Sequence, residues 1–274
     1  MARAERRGAA ENGRSGRRGQ TECGRAEDEG SERSGSSESK RTSGPLAVSV
    51  VACTKRRAYM EALLRNYGRQ RYAAKELIVI LNGDDLRLEA YVKAAAPYKN
   101  VRVVAMPASA SLGHCLNVGA RLARHPLVAK FDDDDYYGPG YLSESVRVLR
   151  ATGADIVGKR AHYMYLAGRK LLLHRYYDRA NRYVDQVQGA TLLVRRQVFE
   201  RIGFRELNRG ECVRFCADAR ASGCKIYAGS PWDFIAMRRP LSRDHTWVVS
   251  DKRLMTRHAK TLRVKDIRRF VCRS

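Results

Sequence analysis

The stretch Leu127-Val-Ala-Lys-Phe-Asp-Asp-Asp-Asp-Tyr-Tyr-Gly-Pro139 constrains this chain more than any other. An apolar run of strand character ends in four consecutive carboxylates, and a Gly-Pro turn follows. Adjacent anions repel one another, and the cluster costs free energy unless a cation or bulk water offsets it. In an extended chain, side chains two residues apart share a face, so Asp132 and Asp134 are expected to point together and Asp133 away. Carboxylate oxygens converging at a strand end suit a hard divalent ion, Mg²⁺ or Mn²⁺, and that ion could hold the diphosphate of a nucleotide. A solvated acidic turn is the plainer account of such a run. Its place after a buried strand favours a site, because open α/β sheets bind ligands at the carboxyl ends of their strands.

With 274 residues the chain can bury one well-formed domain, alone or with a tail. No apolar stretch reaches the length of a membrane span, and the Arg- and Glu-rich start lacks the apolar centre of a signal peptide. The expected compartment is the cytoplasm. Seven scattered cysteines without a Cys-x-x-Cys pair read as reduced thiols, which argues against a disulfide frame. Cys212 and Cys216 lack a second ligand pair, so zinc is not expected. The formal net charge of +24 favours polyanionic partners: nucleic acid, an anionic membrane face, or phosphate-bearing substrates. No arginine-aromatic stripe or nucleic-acid motif accompanies the charge, so nucleic acid is not an expected partner.

Residues 1–44 are Gly, Ser, Arg and Glu with almost nothing apolar, and a tail of that kind cannot offset its ordering entropy. Disorder is expected there. Leu46 to Ala52 reads as a buried strand, followed by the turn Cys53-Thr-Lys-Arg-Arg57. Met60, Leu63, Leu64 and Tyr67 recur at helical spacing, and Gly68 stops that helix. A second strand, Glu76 to Leu81, ends in Asn82-Gly-Asp-Asp85, and Asp84 or Asp85 is expected to cap the helix that runs to Ala96. Val101 to Ala105 is a third strand; Ser111 opens a helix whose Leu112, Leu116, Ala120 and Ala123 share a face, and the acidic strand follows. Strand and helix repeated three times predict a parallel sheet with right-handed crossovers.

Beyond Pro139 a helix around Leu142, Val146 and Leu149 leads to a short strand at Asp155 to Gly158. Arg160 to Tyr176 alternates and turns at Ala167-Gly168, as a hairpin does. A strand at Thr191 to Val194, a helix at Val198 to Ile202, a helix from about Arg209 to Gly223 and a strand at Lys225 to Tyr227 are expected next. The region holding Trp232, Arg238, Arg239, His245 and Trp247 reads as irregular. The basic segment 251–274 is expected to be a solvated terminal helix or strand, with contact to anionic lipid as the alternative.

Several of these pieces fall into one order. Val48-Ser-Val-Val-Ala-Cys-Thr-Lys-Arg56, Leu77-Ile-Val-Ile-Leu-Asn-Gly-Asp84, Ser111-Leu-Gly-His-Cys-Leu-Asn-Val-Gly-Ala120 and the run Phe131 to Tyr137 resemble successive motifs of glycosyltransferase family 2. Gly189 to Gly203 and Gly210-Glu-Cys-Val-Arg-Phe215 resemble its acceptor-side segments. The resemblance covers nearly all of residues 46–250, and its strength lies in the ordered set.

The resemblance implies the GT-A fold, a Rossmann-like α/β three-layer sandwich around a central, mostly parallel sheet. Three parts are then expected: a disordered tail at 1–44, the catalytic domain at 45–250 and a basic extension at 251–274. It also implies transfer of a sugar from a nucleoside-diphosphate donor, UDP above all, to an acceptor hydroxyl with inversion, using Mn²⁺ or Mg²⁺. The acceptor is left open between a glycan, a lipid-linked group and a protein. Peripheral contact with the inner membrane face is a further expectation.

By resemblance, Asp134 holds the metal while Asp132 faces the ribose or shares the ion, and Thr54, Asn82, Gly113, Asn117 and Asp133 line the nucleotide-sugar side. Asn82 stands where the motif normally carries an acid, so the expected uracil contact is open there. His245 stands where a C-terminal histidine reaches the metal, with a plain surface histidine as the alternative. Trp232 and Trp247 could stack on a sugar or simply pack. Lys130 either damps the carboxylate repulsion or is an edge residue.

The sharpest departure is Cys212, which stands where the family places the Asp that serves as general base, with Glu211 before it. Cysteine is a poor match for a hydroxyl proton. Glu211 is the preferred base, against Asp218 reaching in from about two turns away and against an impaired enzyme. Glu211 as a partner of the helix dipole is the plain alternative. A binding protein for nucleotide sugars or polyanions on the same scaffold is the competing function. A nucleotidyltransferase ranks last, because the turn after the first strand lacks glycine.

Overall fold

Consecutive residues of a strand face opposite sides of its sheet, and a strand buried on both faces must be apolar throughout. The opening strand β1 (Val48–Thr54) follows that rule at its centre, with Val50 and Ala52 packed on one side and Val51 on the other, while the buried Ser49 and Thr54 near its ends are hydrogen-bonded. In the computed structural model, described for residues 44–240, 249–256 and 258–273, this strand lies in the middle of an eight-stranded sheet. The disorder expected for the N-terminal tail lies outside the described residues, save for Gly44.

In chain order β1 is followed by α1 (Met60–Gly68), β2 (Lys75–Asn82), α2 (Leu88–Ala95), β3 (Val101–Met106), α3 (Leu112–Leu122) and β4 (Leu127–Asp132). Then come β5 (Tyr136–Tyr137), α4 (Tyr141–Thr152), β6 (Ile156–Gly158), β7 (His162–Leu166), β8 (Leu171–Arg175), β9 (Arg182–Tyr183) and β10 (Leu193–Arg195). The chain closes with α5 (Arg196–Arg201), α6 (Glu211–Ala221), β11 (Ile226–Ala228), β12 (Phe234–Arg238), α7 (Asp251–Leu254), β13 (Ala259–Leu262) and α8 (Ile267–Val271).

The large sheet has the order β3-β2-β1-β4-β10-β6-β11-β9. Its first four strands are mutually parallel, and β10 runs antiparallel between β4 and β6. Leu63, Leu64 and Tyr67 of α1, Tyr91 of α2 and Leu142 and Leu149 of α4 pack on one face. Cys115 and Leu116 of α3, Val198 of α5 and Phe215 of α6 cover the other. Each fully buried Val, Leu or Ile contributes about 1.5–3 kcal/mol, so these two layers hold the sheet. The result is the expected three-layer α/β arrangement.

A second, five-stranded sheet of order β13-β8-β7-β12-β5 stands beside it. Its β12 lies in the region expected to be irregular: Phe234 and Ile235 are fully buried, and the strand pairs with both β7 and β5. The final segment also differs from the solvated element expected. Leu254 and Val271 are fully buried, and β13 pairs with β8. The cap expected for α2 is absent: Arg87 precedes the helix, while the Asp84 carboxylate accepts from the Ala108 backbone N–H at 3.1 Å. Among the described residues no helix is long and apolar enough to cross a membrane.

Candidate active site

The parallel register sets Cys53 of β1 opposite Asp132 of β4, so the acidic run leaves the sheet beside the turn that follows β1. That turn is shaped by Thr54, whose hydroxyl accepts from the Arg56 backbone N–H at 3.1 Å. The acidic turn is held from below by Tyr137, whose ring stacks on Phe131 with centroids 3.8 Å apart. The Tyr137 hydroxyl accepts from the Asp132 N–H and donates to the Ala190 carbonyl, both at 2.7 Å. Asn66 of α1 donates to the Asp135 carbonyl at 2.7 Å, and the Met237 N–H donates to the Asp135 carboxylate at 2.9 Å. Buried aromatic packing and satisfied backbone groups therefore fix four charges that would otherwise drive the turn apart.

The four carboxylates separate by partner. Asp132 pairs with the ammonium of Lys130, two residues before it on the same strand face. Asp133 is buried, accepts from Thr54 Oγ1 at 2.6 Å and pairs with Arg56. Asp134 lies 3.0 Å from the Arg56 guanidinium and 3.6 Å from that of Arg239. The expected alternation of faces thus ends where β4 ends: Asp133 and Asp134 share Arg56, and Asp132 keeps its own cation. Burial pushes the Asp133 carboxyl up against the pull of Arg56. It pushes Asp135 well up, with the charges of Asp134 and Asp132 adding to the effect. Lys130 is opposed by burial, yet Asp132, Cys212 and Glu211 around it hold its pKa well above the usual lysine value.

Glu211 and Cys212 begin α6 behind Gly210, which sits at φ +79°, a conformation that favours glycine. Both side chains are buried, and the Cys212 thiol donates to Glu211 Oε1 at 3.2 Å. Burial pushes this thiol well up, Lys130 opposes the shift, and Glu211 adds to it. The structure thus brings the start of α6 to the Lys130–Asp132 pair. Asp218 is not brought there; it forms a two-bond fork with Arg205 at 2.8 and 2.7 Å.

The three remaining candidates on the nucleotide side fasten loops. Asn82 donates to the carbonyls of Pro107 at 2.7 Å and Ala110 at 3.2 Å. Asn117 exchanges two hydrogen bonds with the Phe204 backbone, each 2.8 Å. At Gly113 a Cβ would come within 1.9 Å of the Arg205 carbonyl oxygen, so segment 205–207 crosses directly over the start of α3. Trp232 packs on Tyr163, and the Arg273 guanidinium lies over the Trp232 ring, 3.9 Å from its centre. His245 and Trp247 lie outside the described residues.

Asp132 and Asp134 offer hard carboxylate oxygens and no soft donor, a set that fits Mg²⁺ or Mn²⁺. Three protein cations already converge on the turn, so it attracts positive charge. Among the described residues no three His, Cys, Asp or Glu side chains are grouped to enclose an ion by themselves. Sequence reasoning missed Arg56 and Arg239 as parts of this site. Arg56 was legible from its place just after β1, whereas Arg239 depends on β12.

A mostly parallel sheet of this order with an acidic turn at its carboxyl edge has the GT-A fold. Residues 45–270 match glycosyltransferase-like family 2, and the chain belongs to that family of glycosyltransferases. Among solved structures it resembles residues 1–349 of TarS from S. aureus in complex with UDP-GlcNAc. That match has 18% identity and a TM-score of 0.60, over 75% of this chain and 62% of the other. It also resembles the mannosyltransferase PcManGT from Pyrobaculum calidifontis in complex with GDP-Man and Mn²⁺, with 18% identity and a TM-score of 0.57, over 74% and 59% of the two chains. The chain therefore spans less than two thirds of the length of these structures, and likeness at this identity carries the fold alone. No curated protein sequence matches at a significant level.

Proposed function

We propose that the chain transfers a sugar from a nucleoside-diphosphate donor, with UDP as the nucleotide, to an acceptor hydroxyl with inversion, using Mn²⁺ or Mg²⁺. One arrangement carries this reading: the acidic turn at the ends of β1 and β4 meets the buried Glu211 carboxylate at the start of α6, with Lys130 between them. In a single displacement the acceptor oxygen attacks the anomeric carbon as the bond to the diphosphate breaks on the opposite side. Glu211 takes the acceptor's proton, a role worth about 10²–10⁴ in rate. Asp132 faces the ribose or shares the ion, Thr54 and Asp133 fix the strand end, and Asn82, Gly113 and Asn117 shape the nucleotide side through the loops they hold.

Asp132 and Asp134 would hold the ion, with His245 as a third candidate from sequence. When bound, it supplies positive charge where the leaving diphosphate gains negative charge. The acceptor is a glycan, a protein or a lipid-linked group. The exposed cations Lys252, Arg253, Lys260, Arg263, Lys265 and Arg268 suit an anionic membrane face that would present the last of these.

The test is UDP release from UDP-sugars with Mn²⁺, comparing the wild-type chain with Asp134→Ala. A loss of about 100-fold or more is expected; equal rates would remove the mechanism. A second reading, a binder without turnover, is favoured by the neutral, buried Cys212 thiol at the usual base position. Appreciable wild-type turnover excludes it, whereas a large gain from near zero in Cys212→Asp would favour it.

A further inference from the structure

We propose that Arg56 and Arg239 form a paired guanidinium clamp that holds Asp134 and moves to the donor's diphosphate when the donor arrives. The inference rests on the nucleotide-sugar reading above and assigns two residues that it did not use.

The two arginines come from different sheets. Arg56 follows β1, and Arg239 follows β12, which the Met237 N–H ties to Asp135 at 2.9 Å. Both reach the same oxygen of Asp134, at 3.0 and 3.6 Å. Both also lie against the Tyr59 ring, 4.4 and 5.1 Å from its centre, and Arg239 donates to the Tyr59 hydroxyl. The ring holds two like charges side by side without supplying a counter-charge, which the carboxylates must do. Arg56 and Arg239 are 26% and 28% exposed, whereas the Lys130 side chain is 8% exposed, so among the described residues paired with this turn the arginines are the more accessible cations.

A guanidinium fork fits a phosphate as well as a carboxylate. A diphosphate at the strand ends would compete with Asp134 for these two groups. Arginines drawn to it would leave the Asp134 oxygens open to a cation. Donor and divalent ion would then each strengthen the binding of the other, since such coupling is reciprocal. The clamp thereby gives Asp134 two cations that a diphosphate can draw away.

The experiment uses the full chain and three probes. Mn²⁺ alone is titrated by electron paramagnetic resonance, and inorganic pyrophosphate and UDP by calorimetry with Mg²⁺ present. In Arg239→Gln, pyrophosphate and UDP should bind about tenfold more weakly, while Mn²⁺ alone should bind several-fold more tightly, the two changes having opposite sign. A residue that only supports the fold would not tighten the ion. Either affinity unchanged in Arg239→Gln overturns the clamp. Arg239→Lys keeps the charge and loses the fork, and it takes the place of the glutamine variant if that does not fold: weaker pyrophosphate binding by about threefold supports the clamp, and none overturns it. If the wild-type chain binds neither pyrophosphate nor UDP, the reading of the site itself fails, which is a separate result.

Discussion

Thr54 Oγ1 donates to Asp133 Oδ2 across 2.6 Å, joining residues 79 apart in sequence and tying the end of β1 to the acidic turn. The same carboxylate pairs with Arg56, and Thr54 in turn shapes the backbone that carries Arg56. Thr54→Val keeps the shape and removes the donor, leaving a buried carboxylate short of one partner. The cost expected is about 1–3 kcal/mol. It should appear as a lower urea midpoint at unchanged slope, and Thr54→Ser should recover most of it. A valine variant as stable as the wild type would remove Thr54 from this role.

Glu76 gives the fold a pH dependence away from the site. Its carboxylate lies at the amino ends of the strands, paired in register with Ser49, and its side chain is 1% exposed. Burial opposes the charge, yet hydrogen bonds from Ser49 and Arg124 and the charge of Arg102 bring its pKa down to about 2. A carboxyl depressed in the folded state stabilises the protein above its unfolded value, near 4.5, and that contribution fades as pH falls towards 2. The stabilisation at neutral pH is about 3 kcal/mol. Urea midpoints should therefore fall between pH 4.5 and 2, and in Glu76→Gln they should fall less steeply from a lower plateau. Parallel pH profiles would contradict the assignment.

The parallel half of the fold was legible because β1, β2 and β4 are mostly apolar runs punctuated by helices of clear period. The acidic turn was legible for the same reason: it ends such a run. What stayed hidden is built from short elements or distant partners. β12 has five residues and α7 four, too few for a period to emerge, and β12 places Arg239 at the site. Asn117 and Phe204 bond across 87 positions, so one sequence cannot tell an asparagine that fastens a loop from one that meets a ligand. Lys130 illustrates the middle ground. Its spacing from Asp132 placed both on one face, but the approach of α6 that surrounds it is a tertiary fact.

The seating of α3 on the sheet makes a volume prediction. A Cβ on Gly119 would fall 2.3 Å from Val51 Cγ1, and Val51 is 2% exposed. Gly119→Ala should cost about 1–3 kcal/mol through overpacking. Val51→Ala should cost a similar amount by leaving a cavity, about 1–3 kcal/mol. Combined, the two changes meet at one place, and the double variant should be more stable than the sum of the single losses by about 1 kcal/mol. Strict additivity in urea denaturation would mean that α3 and β1 can shift apart without penalty.

Glu211 and Cys212, neighbours at the start of α6, differ in whether they can take a proton. Cys212 is buried and its thiol is pushed well above the ordinary value, so at neutral pH it keeps its proton and cannot accept another. Glu211 Oε1 accepts from that thiol at 3.2 Å, an arrangement that orients the carboxylate and leaves its second oxygen for an acceptor hydroxyl. Glu211→Gln should lower kcat by about 10²–10⁴ with little change in donor KM, since the base acts in the transition state. Cys212→Ala should retain kcat within about fivefold, because truncating a neutral thiol removes one orienting hydrogen bond worth about 1 kcal/mol. Iodoacetamide should leave Cys212 unmodified at pH 7, read by peptide mass analysis of the folded chain. The reverse pattern, with Cys212→Ala inactive and Glu211→Gln active, would make the thiolate the base and require Lys130 to outweigh the burial that now keeps the proton on sulfur.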